Sequence, residues 1–124
     1  MTQAEALVRE FCDAWSKLDP ELLAEYFAED GVYQNMPLPP LHGRAAIKEF
    51  LVGFLANTTA AEFRMVNVVS SDDVVFTERI DAFTLDGREG AFPVCGVFEV
   101  RNGKIQAWRD YFDMAQVTAF LTGQ

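Results

Sequence analysis

The chain has 124 residues, a formal net charge of −9, 50 % hydrophobic residues and eleven phenylalanines. Its length fits one domain that can bury a core of its own, and its apolar content excludes a disordered chain. The acidic balance excludes a nucleic-acid binder, which needs a basic patch, and disfavours an anionic membrane surface.

Residues Thr2 to Lys17 read as a helix, because Leu7, Phe11, Ala14 and Leu18 recur at helical spacing with Trp15 beside them. Charges run through the first twenty residues, which therefore lack a secretory pattern. No apolar run reaches membrane-spanning length, and a cytoplasmic protein is expected. Asp19-Pro20-Glu21 predicts an N-cap with proline at the first helical position, opening a short helix through Phe27 that Asp30-Gly31 ends. Gly31 to Met36 reads as a strand. Pro37-Leu38-Pro39-Pro40 cannot continue a central strand and reads as a connector. His42, the single histidine, follows in loop chemistry and cannot build a histidine-rich metal site. No metal or cofactor is expected.

Gly43 to Asn57 is a third predicted helix, with Ala46, Ile47, Phe50, Leu51 and Phe54 on its apolar side. From there the pattern changes to strands over Glu62–Ser70, Val74–Leu85, Arg88–Arg101 and Lys104–Asp113. Asp86-Gly87 and Asn102-Gly103 mark hairpin turns. A short helix from Met114 to Leu121 closes the chain, with Asp113 as its cap. Helices followed by an antiparallel meander predict an α+β fold. Cys12 and Cys95 lie in apolar stretches and read as buried free thiols.

Three clusters could carry chemistry. In Thr77-Glu78-Arg79-Ile80-Asp81, strand alternation puts Arg79 and Asp81 on one face with Val75, Thr77 and Phe83. That face could equally meet water, leaving a surface ion pair worth little. In Trp108-Arg109-Asp110-Tyr111-Phe112-Asp113, Asp110 shares its face with Trp108 and Phe112. Tyr33 and Asn35 share a strand face, and both side chains can hold a water. The strands carrying Asp81 and Asp110 are second neighbours in the meander, roughly 9 to 10 Å apart. The Arg79 fork can bridge such a gap. Two carboxylates and one guanidinium sum to −1, so in an apolar pocket one carboxyl is expected to keep a proton. A neutral carboxyl facing an ionised one is a general acid facing a general base. Phe92, Val94, Val97, Phe98, Trp108 and Phe112 are candidates for an apolar pocket wall.

Tyr33-Gln34-Asn35-Met36-Pro37-Leu38-Pro39-Pro40, Thr77-Glu78-Arg79-Ile80-Asp81, Gly96-Val97-Phe98 and Trp108-Arg109-Asp110-Tyr111-Phe112-Asp113 together resemble the limonene-1,2-epoxide hydrolase family. The likeness runs in order over nearly the whole chain and departs at no catalytic position. It implies a strongly curved, six-stranded sheet forming a cone around three or four helices, within the nuclear-transport-factor-two-like superfamily, and a homodimer. It also implies roles. Asp110 would deprotonate water, Tyr33 and Asn35 would hold that water, Asp81 would protonate the epoxide oxygen, and Arg79 would couple the two aspartates. The expected partners are a small hydrophobic epoxide and water. An apolar outward face carrying Val74, Phe76 and Ile80 separately predicts self-association. Two other readings compete. A ketosteroid-isomerase-like proton transfer needs an oxyanion hole beside its base, which this cluster does not suggest. A non-catalytic binding or dimerisation module would have little use for Arg79, Asp81 and Asp110 in an apolar cavity.

Overall fold

In the computed structural model, which describes residues 1–123, the N-terminal apolar stripe winds into α1 (Gln3–Ala14) and a short 3-10 turn, Trp15–Lys17. Thr2 caps α1 by accepting from the Glu5 backbone N–H at 3.0 Å, which satisfies a donor that every helix start leaves free. Asp19 caps α2 (Pro20–Glu25) in the same way, through the N–H groups of Glu21 and Leu22.

α2 stops at Glu25 and β1 (Phe27–Asn35) begins almost at once, so the expected helix end at Asp30-Gly31 is instead strand. Phe27 explains the change. Its ring is fully buried, and its carbonyl accepts from Arg44 Nε at 2.9 Å and Nη2 at 2.7 Å. The pairing of β1 is irregular between Phe27 and Val32, which accommodates the polar residues between them. After the proline connector, Leu41–His42 forms β2 against β1. His42, expected in a loop, is thus an exposed strand residue.

The rest follows the predicted order, as α3 (Arg44–Leu55), β3 (Thr58–Ser71), β4 (Val74–Leu85), β5 (Arg88–Arg101), β6 (Lys104–Phe112) and α4 (Met114–Thr122). β3 starts four residues before its expected first residue, Glu62, because β4 is long enough to pair with it from Thr58 onward. Asp86-Gly87 and Asn102-Gly103 all have positive φ, between 50° and 77°, which two-residue hairpins with primed turns require. The sheet order is β2-β1-β6-β5-β4-β3. β1 and β6 are parallel and every other neighbour is antiparallel.

The sheet curls around α1 and α3, and the core lies in its concavity. Val8, Phe11 and Trp15 meet Phe63, Phe98 and Trp108 there, with Ile47 and Leu51 of α3. Strand alternation turns Cys95 outward, between inward-facing Val94 and Gly96. It is exposed, contrary to the expectation of burial, while Cys12 is buried. Among the described residues, no helix is long and apolar enough to cross a membrane.

Phe11 stands at the centre, edge-on to Tyr26, Phe27, Phe98 and Trp108 at centroid distances of 5.1 to 6.1 Å. Edge-to-face pairs add to simple area burial. Phe11→Ala is therefore expected to cost about 3–5 kcal/mol in urea-induced unfolding. A cost under about 1 kcal/mol would show that α1 can collapse into the gap.

Candidate active site

The alternation in β4 resolves the choice between a surface pair and an interior one. Val75, Thr77, Arg79 and Asp81 are all buried, while Phe76 and Glu78 between them are exposed. Arg79 has no solvent exposure. Inter-strand register then brings the other residues alongside. Asn35 of β1 pairs with Asp110 of β6, Asp110 with Gly96 of β5, and Gly96 with Thr77 of β4. Tyr33 pairs with Trp108 one step along, and their rings stack at 4.2 Å.

Within this arrangement each N–H of the Arg79 fork has an acceptor. Nε donates to Asp81 Oδ1 at 2.9 Å. Nη2 donates to Asp81 Oδ2 at 2.8 Å and to Asp110 Oδ2 at 2.9 Å. Nη1 donates to Asp110 Oδ1 at 3.2 Å and to Thr77 Oγ1 at 3.0 Å. These acceptors match the five donors a guanidinium carries. Asp110 Oδ1 also accepts from Trp108 Nε1 at 2.6 Å. The Phe63 ring lies 4.8 Å from the guanidinium carbon, so a π-face covers the cation.

The cluster forms the polar end of an apolar cavity of about 170 Å³. Asp81, Asp110, Tyr33 and Asn35 line that end, and Arg79 lies behind the two carboxyls. Phe92, Val94 and Phe112 line the wall, as expected, together with Phe50, Phe54 and Phe83. α4 closes one side with Met114, Val117, Phe120 and Leu121.

Three expected wall residues lie elsewhere. Trp108 is enclosed between Tyr33 and Phe98 and supports the site from behind, through its N–H to Asp110 and its ring near the Arg79 guanidinium. Phe98 is core. Val97 points to the opposite face of the sheet, because it is one residue out of step with Gly96 and Phe98. Spacing alone does not identify Thr77 as a polar partner of Arg79, Trp108 as a donor to Asp110, or Gly96 as the spacer between them. The available signals were Thr77 two residues before Arg79 on one strand face, and a glycine inside a strand, which often marks a close approach.

Burial pushes the Asp110 carboxyl up to about 6, against the opposing pull of Arg79. Burial raises Asp81 as well, again opposed by Arg79. Burial works against the Arg79 charge, but the two carboxylates outweigh it and hold its pKa well above the usual value. Burial also raises the Tyr33 phenol, which stays neutral; its hydroxyl donates to Asn35 Oδ1 at 3.2 Å. The site can therefore take up and release a proton near neutrality at a carboxylate facing an apolar space.

A raised carboxyl pKa means that the folded state binds more protons than the unfolded chain between 3.8 and about 6. The stability tied to Asp110 is then full below that interval and lost as pH rises through it, on the order of 2–3 kcal/mol. Asp110→Asn cannot titrate. Urea unfolding followed from pH 4 to 8 should show a shallower decline in the variant than in the wild type. Parallel curves would assign the decline to other groups.

Residues 2–122 match the family model for the limonene-1,2-epoxide hydrolase catalytic domain. The chain is 31 % identical to epoxide hydrolase EphG of Mycobacterium tuberculosis over 107 residues, covering 86 % of this chain and 71 % of that protein. A solved epoxide hydrolase of M. tuberculosis, described as limonene-epoxide-hydrolase-like, superposes with a TM-score of 0.84 at 30 % identity, covering 98 % of this chain and 91 % of the other. A putative SnoaL-like polyketide cyclase from Shewanella putrefaciens superposes with a TM-score of 0.87 at 17 % identity, covering 100 % and 99 %. That last likeness concerns the curved, cone-shaped fold alone.

Proposed function

Because this chain belongs to the limonene-1,2-epoxide hydrolase family, we propose that it adds water to a small hydrophobic epoxide in one cofactor-independent step, giving a vicinal diol. The observation that carries this reading is the Asp81–Arg79–Asp110 bridge, buried at the end of an apolar cavity with both carboxyls facing inward.

The bridge supports a division of labour. Asp110 stands beside Asn35 in the sheet and receives three donors, two from Arg79 and one from Trp108. Donors of this kind favour the ionised form, which suits a base that takes a proton from water held by Tyr33 and Asn35. Asp81 receives N–H groups from Arg79 alone, and its strand neighbours are Phe63 and Phe92. In the free protein burial raises Asp110 more than Asp81. An apolar substrate entering beside Asp81 removes its water and raises its pKa further, which draws the shared proton to Asp81 for delivery to the epoxide oxygen. In the step, the water oxygen bonds to one ring carbon as that carbon's bond to the epoxide oxygen breaks. Asp110 gains the water proton, and Asp81 gives its own to the leaving oxygen. Return of one proton from Asp110 to Asp81 then restores the pair, while Arg79 stays protonated throughout. Each positioned transfer is worth about 10² to 10⁴ in rate. The cavity volume supports a substrate of about one ring, because a dry cavity of about 150 Å³ holds benzene.

A two-fold dimer through the convex face of the sheet belongs to the same reading. Val69 and Phe76 are directly paired there, 67 % and 56 % exposed. Val97 lies beside Phe76 on the same face but is itself buried, so the exposed apolar surface here is the Val69–Phe76 pair. An apolar patch of this kind marks an interface. Sedimentation at micromolar concentration should give a dimer, and Phe76→Glu should give monomers. A wild-type monomer at that concentration would refute the dimer.

Asp110→Asn and Asp81→Asn should each lower kcat by about 10² or more with the far-ultraviolet circular dichroism unchanged. Tyr33→Phe and Asn35→Ala should cost less, because they share one water. A single turnover in ¹⁸O-water, on cyclic and terminal epoxides, should place the label in the diol and none in the protein. Unlabelled first-turnover diol would mean that an aspartate attacks carbon, and would overturn the one-step reading.

A further inference from the structure

Arg79 starts on β4, and Asp110 lies on β6, two strands away. To reach it, the guanidinium must pass over β5. The β5 residue in that path, paired with Thr77 on one side and Asp110 on the other, is Gly96. A methyl group at this position would lie 2.5 Å from Asp110 Oδ1 and nearer still to Arg79 Nη1, with Thr77 Oγ1 at 3.1 Å. Real side chains do not approach so closely, so the missing side chain is the space through which the bridge is made. Gly96 lies outside the positive-φ region, so backbone conformation alone does not require glycine there.

Thr77 sits on the other side of the same gap. Its hydroxyl donates to the Gly96 carbonyl at 3.2 Å and accepts from Arg79 Nη1 at 3.0 Å. Of the fork's five acceptors it is the only one that is not a carboxylate oxygen. Thr77 is buried, so no solvent stands ready to replace it. Losing its hydroxyl would strand both an Arg79 N–H and a carbonyl lone pair in the interior.

We propose that Thr77 and Gly96 are positioning residues, a neutral clamp and an open slot that together lock the Arg79 guanidinium in the one pose that bridges both aspartates. The clamp works through Arg79 and touches neither water nor epoxide. Two carboxylates alone leave the guanidinium free to slide toward either one. A fixed hydroxyl at Nη1, itself anchored to the backbone of β5, holds the cation at the middle of the pair. The role rests on the epoxide hydrolase reading for its catalytic consequence, while the locked pose is a property of the folded protein.

The test uses the full chain with ¹⁵N-labelled arginine, as wild type, Thr77→Ser and Thr77→Val. Valine keeps the shape and strand preference of threonine and removes only the hydroxyl. In the wild type, one guanidinium should give separate, slowly exchanging Nη1 and Nη2 proton signals, which Arg79→Lys removes. Thr77→Val should merge them, and Thr77→Ser should restore them. With epoxide, Thr77→Val should lose about tenfold or more in kcat, as expected for a lost bond to a charged group, with KM within about twofold. The acidic limb of its pH profile should move upward, because Asp110 is held less firmly by the cation. Serine should recover most of the rate. Gly96→Ala should show the same spectral merging and loss of kcat.

An averaged Arg79 signal in the wild type overturns the lock whether or not any variant folds. A folded Thr77→Val that keeps separate signals and the wild-type pH profile also overturns it, as does a serine variant as impaired as valine. If wild type hydrolyses no epoxide but its spectra behave as described, the lock stands and the assigned reaction fails.

Discussion

A guanidinium without solvent exposure must find all of its partners inside the protein, and Arg79 sets this demand on the structure around it. Taking such a cation out of water costs several kcal/mol unless charge and hydrogen bonds are both answered. Here both are answered: five donors meet five acceptors, and an aromatic face covers the plane. The answer depends on register. A slip of one residue between β4 and β5, or between β5 and β6, would turn a partner to the convex face. The tight hairpin at Asp86-Gly87 fixes the first register. The second is set by the hairpin at Asn102-Gly103 together with an irregularity between Glu99 and Val100, which shifts the pairing by one residue and brings Asp110 rather than Arg109 opposite Gly96. α1 fixes the concave side, because Phe11 wedges against Trp108, whose indole N–H holds Asp110.

The same burial that makes the cluster costly makes it useful. One cation faces two carboxyls, so the buried group carries a surplus negative charge that burial resists. Burial raises both carboxyls, and Asp110 titrates near neutrality as a result. The cavity gives this charge little to interact with except a substrate, because its wall is largely phenylalanine. Stability and reactivity are therefore set by one quantity, the desolvation of two carboxyls that share a single cation.

Parts of this arrangement were legible along the chain for a plain reason. Strand alternation has a period of two, so Arg79 with Asp81, Tyr33 with Asn35, and Asp110 with Phe112 could be assigned to shared faces from spacing alone. The α+β order, the two hairpins and most helix limits were readable from turn and capping residues. Misplaced features lay where a distant contact overrides a local signal. Asp30-Gly31 resembles a helix stop, yet the Arg44 side chain holds the Phe27 carbonyl and keeps the segment in the sheet. Cys95 and Val97 differ in kind: their apolar surroundings suggest the interior, but alternation itself sends both to the convex face, where Cys95 is exposed and Val97 is buried. Trp108 was expected to line the cavity, and Tyr33 and Phe98 enclose it.

The sequence by itself determined which residues share a strand, which of them alternate together, and that two acids and a base would have to balance their charge. Tertiary structure decided which face is the inside, how far the strands slide against one another, and which side chain stands between two groups that chemistry would join. Those matters depend on contacts between residues far apart in the chain, such as Thr77 with Gly96 and Arg79 with Asp110. Local propensity carries no record of such contacts, because their energy exists only once the sheet has curled and water has left.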